Sequence, residues 1–306
     1  MKKRNILITG GAGFIGSNLC KILLKNNYNV TVIDNLSMGK KKNLPKKIRL
    51  IKEDILNYKS CLKACKNIDS IIHLAAKVSI RNSVQTFEQD VHNNVIGTIN
   101  ILNAAAKNKI KKIVFASSMA VYEKSKKNLS FKETDKLEPI SPYGISKLAS
   151  EKYILLMAPK MNIDPVVLRL FNTFGPGQTL TPYVGVVTIF IKNILNGKTS
   201  KIFGDGKQRR DFIHVEDVAK AFLMALKSKK SVNKIFNIGT NKTWTINQIF
   251  QIIKKRMGKG KFRYYPKDST ELDYVCANIS KAKKVLRFNP QYSFENKISD
   301  VIKEII

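Results

Sequence analysis

No apolar run in this sequence reaches the ~18 residues that a membrane-spanning helix needs, so no membrane insertion is expected. The basic start, Met1-Lys2-Lys3-Arg4, leads into a short run that ends in glycines, unlike the apolar core of a secretory leader. Histidine is scarce: His73, His92 and His214 are scattered, and three scattered imidazoles make no metal site. His73 reads as a packing residue, His92 as solvent-facing and His214 as capping or packing, and the single tryptophan, Trp244, reads as core. The four cysteines, Cys20, Cys61, Cys65 and Cys276, contain no C-x-x-C pair, which points to free thiols in a reducing cytoplasm. Acidic residues are few, 22 against 55 Lys and Arg, for a formal net charge of +33. The excess is nearly all lysine and is spread over many loops and helix ends, among them Lys40–Lys42, Lys107–Lys112, Lys124–Lys127 and Lys254–Lys261. Aromatic residues do not interleave with it as a base-stacking platform requires. Nucleic acid is therefore not expected as a partner, and a lysine-biased composition accounts for the charge. A positive field would still speed the approach of an anionic substrate.

What is present is an alternation of strands and helices. With 306 residues, 43% of them hydrophobic, the chain can bury one large doubly wound core and a smaller lobe. Short β-branched runs begin near Asn5, Asn29, Ile48, Ile68, Lys111 and Pro165, and helical periodicity separates them, including a long stretch over 84–107 and a helix from Pro142. This pattern predicts an α/β fold: a Rossmann-type doubly wound parallel sheet with a smaller C-terminal substrate-binding lobe. The division expected is residues 1–172 for the large domain, with later returns near 210–240, and 173–306 for the smaller lobe.

The first strand-turn-helix carries the strongest signal. Gly11-x-Gly13-x-x-Gly16 follows the run Ile6-Leu7-Ile8-Thr9 and opens a helix, as a dinucleotide turn requires. The helix start offers free N–H groups to a pyrophosphate. Asp34 closes the second strand, where a carboxylate accepts from ribose hydroxyls and repels a 2′-phosphate, so NAD is expected rather than NADP.

Ser118 ends the fifth strand, and Tyr143 and Lys147 stand four apart on one helix face. Lowering a phenol by ~3 units from its usual ~10 requires about 4 kcal/mol. One cation at ~5.5 Å in an effective dielectric of ~20 supplies roughly 3 kcal/mol. Lys147 alone falls short, but Lys147 and an oxidised nicotinamide suffice. Tyr143 is then a base only beside NAD⁺, and Ser118 holds the substrate oxygen.

These motifs, with Asp34-Asn35-Leu36-Ser37, Asp54-Ile55, His73-Leu74-Ala75-Ala76, Val121-Tyr122, Leu168-Arg169-Leu170-Phe171-Asn172, Gly204-Asp205-Gly206 and Arg210-Asp211-Phe212-Ile213-His214, run nearly the length of the chain. Together they resemble the extended short-chain dehydrogenase/reductase family, in particular its UDP-glucose 4-epimerase-type nucleotide-sugar epimerases. The resemblance implies that Gly10, Gly13, Phe14, Ile15, Gly16, Asp34, Asn35, Ser37, Asp54, Ile55, Leu74, Ala75, Ala76, Tyr143 and Lys147 bind NAD. Of these, Asp54 and Ile55 hold the adenine edge, and Ala75 and Ala76 line the pyrophosphate. It further implies that Ser118, Tyr143, Asn172, Phe203 and Arg210 bind a nucleotide-diphosphate sugar, with Arg210 and Asn172 on the diphosphate. A homodimer through the helices near 84–107 and 142–160 is implied as well.

Two features narrow the reaction. Related dehydratases carry Asp and Glu after the Ser/Thr, and related uronate decarboxylases carry Glu, whereas Met119 and Ala120 have no proton to give. Epimerisation at carbon 4 is expected, with a reductase, dehydrogenase or dehydratase of the same family as the alternative. The intact Ser118, Tyr143 and Lys147 set argues against a non-catalytic NAD-binding relative. The family's second diphosphate arginine is replaced by Asp268-Ser269-Thr270-Glu271, leaving Lys267, Arg209 or Arg263 as substitutes. The modest Val275 stands near the position that limits sugar size, so an N-acetyl sugar would be admitted.

Overall fold

The structure is a computed structural model that describes residues 3–78, 85–123, 129–178, 185–267 and 272–306. In the first half, strands β1 (Asn5–Thr9), β2 (Asn29–Ile33), β3 (Arg49–Ile51), β4 (Ser70–His73), β5 (Lys112–Ser118) and β6 (Asp164–Leu170) alternate with helices α1 (Phe14–Lys25), α2 (Tyr58–Ala64), α3 (Phe87–Asp90), α4 (Gly97–Lys107) and α5 (Pro142–Lys160). Then follow β7 (Asn172–Phe174), α6 (Val186–Leu195), β8 (Ser200–Phe203), β9 (Arg209–Arg210), β10 (Phe212–His214), α7 (Val215–Lys227), β11 (Lys234–Ile238), β12 (Trp244–Thr245), α8 (Ile246–Met257), β13 (Phe262–Tyr265), β14 (Tyr274–Val275), α9 (Ser280–Leu286) and α10 (Phe294–Ile305).

Seven strands form one parallel sheet in the order β11-β6-β5-β4-β1-β2-β3. Both faces are covered, so its strands read as unbroken apolar runs. Ile6 and Ile8 enter a core shared with α1 and α7, while Leu7 between them enters a second core with α2, α4 and α5. This is the Rossmann-type doubly wound fold that the alternation predicts. The strand order reverses at β1, so a crevice opens between the ends of β1 and β4, where such sheets bind ligands.

The chain after β6 forms short paired strands, β7 with β10, β8 with β13, and β9 between β12 and β14. A third core holds them together, with Phe174, Phe190, Phe250 and Phe294 at its centre and Trp244 packed against it. His214 caps α7 by accepting from Glu216 N at 3.4 Å.

The long helix read over 84–107 is interrupted. A π-helical turn, Val91–Ile96, joins α3 to α4 and adds a residue to the turn that bears Asn94. No helix among the described residues is long and apolar enough to cross a membrane. Asp268–Glu271, where the missing arginine is expected, lie outside the described residues.

Candidate active site

The glycine turn sits against the end of β4. Gly10 has φ +69°, and a Cβ there would lie 2.8 Å from the Ala75 backbone, so only glycine lets β1 turn this close to Leu74–Ala76. No side chain among the described residues caps α1. The first backbone bond of that turn runs from Ser17 N to Gly13 O, which leaves the Phe14, Ile15 and Gly16 amides without a partner inside the helix. Asp34 holds this turn by accepting from Ala12 N at 2.9 Å and from Leu36 N at 2.8 Å. Asn35 donates to Asp54 at 2.7 Å and accepts from Ser37 N at 3.0 Å, which brings Asn35, Ser37, Asp54 and the buried Ile55 to one rim. Free amides at a glycine cradle, with a fixed carboxylate beyond it, suit the pyrophosphate and ribose of a dinucleotide.

Behind the cradle runs a directional hydrogen-bond chain. Leu74 N and Ala75 N donate to Thr9 Oγ1, which meets His73 Nδ1 at 2.6 Å. His73 Nε2 meets Thr98 Oγ1 at 2.9 Å, and that hydroxyl donates to Asn94 O. Because Thr98 gives its proton onward, His73 carries its own on Nε2 and accepts at Nδ1. Burial, then the charge of Lys147, pushes the imidazole down to about 3, so it stays neutral. His73 is thus a structural link between the cradle and the π turn.

Ser118 ends β5, and Tyr143 is in the first turn of α5, which begins with Pro142 and is capped by Ser141 Oγ accepting from Gly144 N at 3.1 Å. A Cβ on Gly144 would collide with the Ala120 carbonyl, so this turn closes directly onto the residues that follow Ser118. Ser118 lies near enough to the Tyr143 phenol to favour its ionised form. Lys147, one turn on, is buried with Nζ 4.2 Å from the centre of the Phe115 ring.

Burial is the largest influence on both groups. It pushes the phenol up to about 12, against the lowering effect of Ser118, and the Asp90 carboxylate raises it further. Burial pushes the Lys147 ammonium down to about 7, against the raising effect of Glu151. The sequence argument weighed only the attraction between Lys147 and the phenolate and left out this desolvation. The protein's own groups leave the phenol protonated at neutral pH, further from a base than that argument implied.

Sequence reasoning missed the residues that brace this corner. Glu151, one turn beyond Lys147, takes two hydrogen bonds from the fully buried Arg169, at 3.0 and 2.8 Å. Arg169 also donates to Tyr122 Oη at 3.0 Å, and Tyr122 donates to Asn237 at 2.6 Å. Asn94 accepts from Lys77 N at 2.8 Å and donates to Ser146 Oγ at 2.9 Å. A charged residue recurring on the Tyr143–Lys147 face, and an arginine inside the apolar strand β6, were the available signals.

On the substrate side, Asn172 begins two residues beyond Leu170, which pairs with Ser118 across β5 and β6. Its Oδ1 is buried with no hydrogen-bond partner among the described residues. Arg210 is buried on β9, beside Val275 of β14, and its Nη1 donates to Arg209 O at 3.0 Å. A cavity of about 350 Å³ is lined in part by Phe203, Gln208, Arg209, Lys267 and Tyr274. Of the three candidate cations, Arg209 and Lys267 therefore face a cavity; Lys267 is paired to Asp273 at 2.6 Å and Arg209 Nε donates to Thr243 at 2.9 Å. Arg263 is exposed on β13. Val275 is fully buried in an apolar cluster with Val121, Tyr122 and Phe171. It has no surface with which to touch a sugar here, which the sequence reading did not anticipate.

Known proteins share this architecture. The putative UDP-glucose 4-epimerase of Methanocaldococcus jannaschii is 40% identical over 299 residues, covering 97% of each chain. The UDP-N-acetyl-alpha-D-glucosaminuronate decarboxylase of Bacillus cytotoxicus is 33% identical, covering 99% of this chain and 98% of its own. The UDP-glucose 4-epimerase of Thermotoga maritima, solved with UDP-glucose, has a TM-score of 0.93 at 35% identity and covers 98% of both chains. Residues 6–239 match the NAD dependent epimerase/dehydratase family, and the chain belongs to that family.

Proposed function

We propose that the protein is a nucleotide-sugar 4-epimerase that works by transient oxidation at carbon 4. One observation carries the reading. Half-buried Ser118 meets the buried Tyr143 and Lys147 at one corner at the strand ends, and Met119 and Ala120 follow Ser118 without an acid. Elimination and decarboxylation place further acid–base work on the substrate. The two carboxylates that act on this corner, Asp90 on Tyr143 and Glu151 on Lys147, are each 1% exposed and have no surface to offer one.

In this reading the cradle amides hold the NAD pyrophosphate, Asp34 the adenosine ribose, Asp54 and Ile55 the adenine edge, and Ala75 and Ala76 the opposite side of the pyrophosphate. Bound NAD supplies a hydride acceptor that later gives the hydride back. Tyr143 removes the proton of the 4-hydroxyl and returns it after the 4-keto sugar has turned its other face. Ser118 holds the oxygen throughout, and Lys147 favours the phenolate. Arg210 and the Asn172 amide nitrogen take the diphosphate, and the orphaned Asn172 Oδ1 fits a hydroxyl donor elsewhere on the ligand. Arg209 and Lys267 add positive charge at the cavity in place of the missing arginine. Anchoring is then firm at the nucleotide and loose at the sugar, as inversion demands.

Two further readings belong with this one. Phe87 and Val91, with Ile145, Tyr153 and Leu156 of α5, are 45 to 59% exposed on adjoining helices, which supports a homodimer through this face. The four cysteines are unpaired and buried, with burial raising every thiol, which supports a reducing cytoplasm.

The test is incubation of purified protein with UDP-, dTDP-, GDP- and CDP-sugars without added cofactor, following product stereochemistry by proton NMR. Inversion at carbon 4 without net NADH is expected, and Tyr143→Phe should slow it about a hundred- to ten-thousand-fold. Stoichiometric NADH, released carbon dioxide or a dehydrated product would each overturn the reading.

A further inference from the structure

Asp90 ends α3, just before the π turn. It is 1% exposed, and neither carboxylate oxygen has a hydrogen-bond partner among the described residues. A carboxylate buried without donors is expensive, and the reading above gives this one no task.

Its place relative to Tyr143 follows from helix register. α4 leads into β5 and α5 into β6, two parallel strands of one sheet, so the helices run in the same direction on the same face. Asn94 donates to Ser146 Oγ at 2.9 Å, and Asn94 O accepts from Ser150 Oγ at 2.9 Å. One turn earlier on each helix stand Asp90 and the Tyr143 turn. Consistent with that register, the Asp90 charge acts on the phenol and raises it.

Among the described residues, the other charged groups around Asp90 are few. From the stretch after β4, Lys77 faces it and lowers its carboxyl; the Lys77 ammonium is hydrogen-bonded to Thr86 at 3.0 Å and to the Gln89 side chain, both neutral. Glu88 on its own helix and His92 on the π turn that follows are exposed. From α5, Tyr143 is nearest in register, with Lys147 and the Arg169-bound Glu151 one and two turns on. Burial pushes Asp90 up to about 6, so it is mostly ionised at neutral pH.

We propose that Asp90 is a positioning residue that acts through Tyr143, a charge opposed to Lys147 that adds to burial in keeping the phenol protonated until a cationic nicotinamide lies beside it. The proposal rests on Tyr143 being the base. Two adjacent buried acids do not both ionise cheaply, so Asp90 and Tyr143 compete for one negative charge. With Asp90 ionised, Lys147 alone is too weak to create the phenolate. Oxidation of the alcohol then cannot start until the hydride acceptor is in place.

The test titrates tyrosinate by near-ultraviolet difference absorbance in the NAD-loaded protein, for wild type, Asp90→Asn and Asp90→Glu. Each is compared with its own Tyr143→Phe counterpart, and kcat is measured over the same pH range. In Asp90→Asn the Tyr143 ionisation and the acid limb of kcat should both move down by about one pH unit. Asp90→Glu should stay with wild type. Asp90→Leu removes the charge without leaving a polar group to satisfy, and reads the same shift should the amide misfold. An unmoved Tyr143 ionisation, with kcat lowered equally at every pH, would leave Asp90 a purely structural residue and overturn the proposal. Failure of the underlying reading looks different: Tyr143→Phe would retain inversion and remove no ionisation from the titration.

Discussion

Arg169 and Glu151 form a fully desolvated, two-bonded ion pair between β6 and the helix that carries Tyr143 and Lys147. Removing one partner strands the other's charge in the core, so Arg169→Met should cost about 3–5 kcal/mol of stability. Urea denaturation of Arg169→Met beside the double variant Arg169→Met/Glu151→Gln checks this, and the double variant should be the more stable of the two. His73 makes a second residue-scale prediction. Its imidazole titrates at about 3 in the fold against 6.5 when free. Between those values the unfolded chain binds a proton that the folded chain refuses, so stability is full above 6.5 and falls as pH drops towards 3. His73→Gln, a neutral side chain, should remove one proton from that slope, or about 1.4 kcal/mol per pH unit within the interval, in denaturation curves measured against pH. At this scale the Tyr143–Lys147 pair was legible because helical spacing alone puts the two on one face. Asp90, Asn94 and Arg169 were not, because their meaning depends on which distant side chain they are buried against. Desolvation was equally invisible, since no spacing rule reports how deeply a phenol is buried.

Among the elements, α5 is the most informative. One face meets the sheet and the π turn, and the other presents Ile145, Tyr153 and Leu156 beside Phe87 and Val91 of the neighbouring helix. Tyr153→Glu with Leu156→Glu should turn a dimer into a folded monomer, measured by sedimentation velocity with circular dichroism as the folding control. A wild type that sediments as a monomer at every concentration would remove the dimer proposal. The long helix before β5 was legible as a helix, but the π turn inside it was not. Period 3.6 fits both flanks, and the extra residue is visible only once Asn94 is seen bonded to Lys77 and Ser146. The two-residue strands β9, β12 and β14 are too short to carry a period of their own, and they exist because non-local partners pair with them.

For the molecule as a whole, the large sheet was readable because four of its first six strands, β1, β3, β4 and β5, are apolar runs that lead into a helix, which leaves a parallel doubly wound sheet as the packing solution. The later chain obeys no such alternation. β11 joins the sheet beside β6 after an excursion of several short strands, and only the phenylalanine-rich third core explains why those pieces hold together. The cradle, the buried corner at β5 and the cation-lined cavity together make one account, in which hydrogen leaves carbon 4 and comes back to the same carbon within a single binding event. That account is tested most directly with a nucleotide sugar carrying deuterium at carbon 4, turned over in ordinary water without added cofactor. Full retention of deuterium at carbon 4 of the inverted sugar is the predicted result, and loss of the label to solvent or its accumulation in released NADH would contradict it.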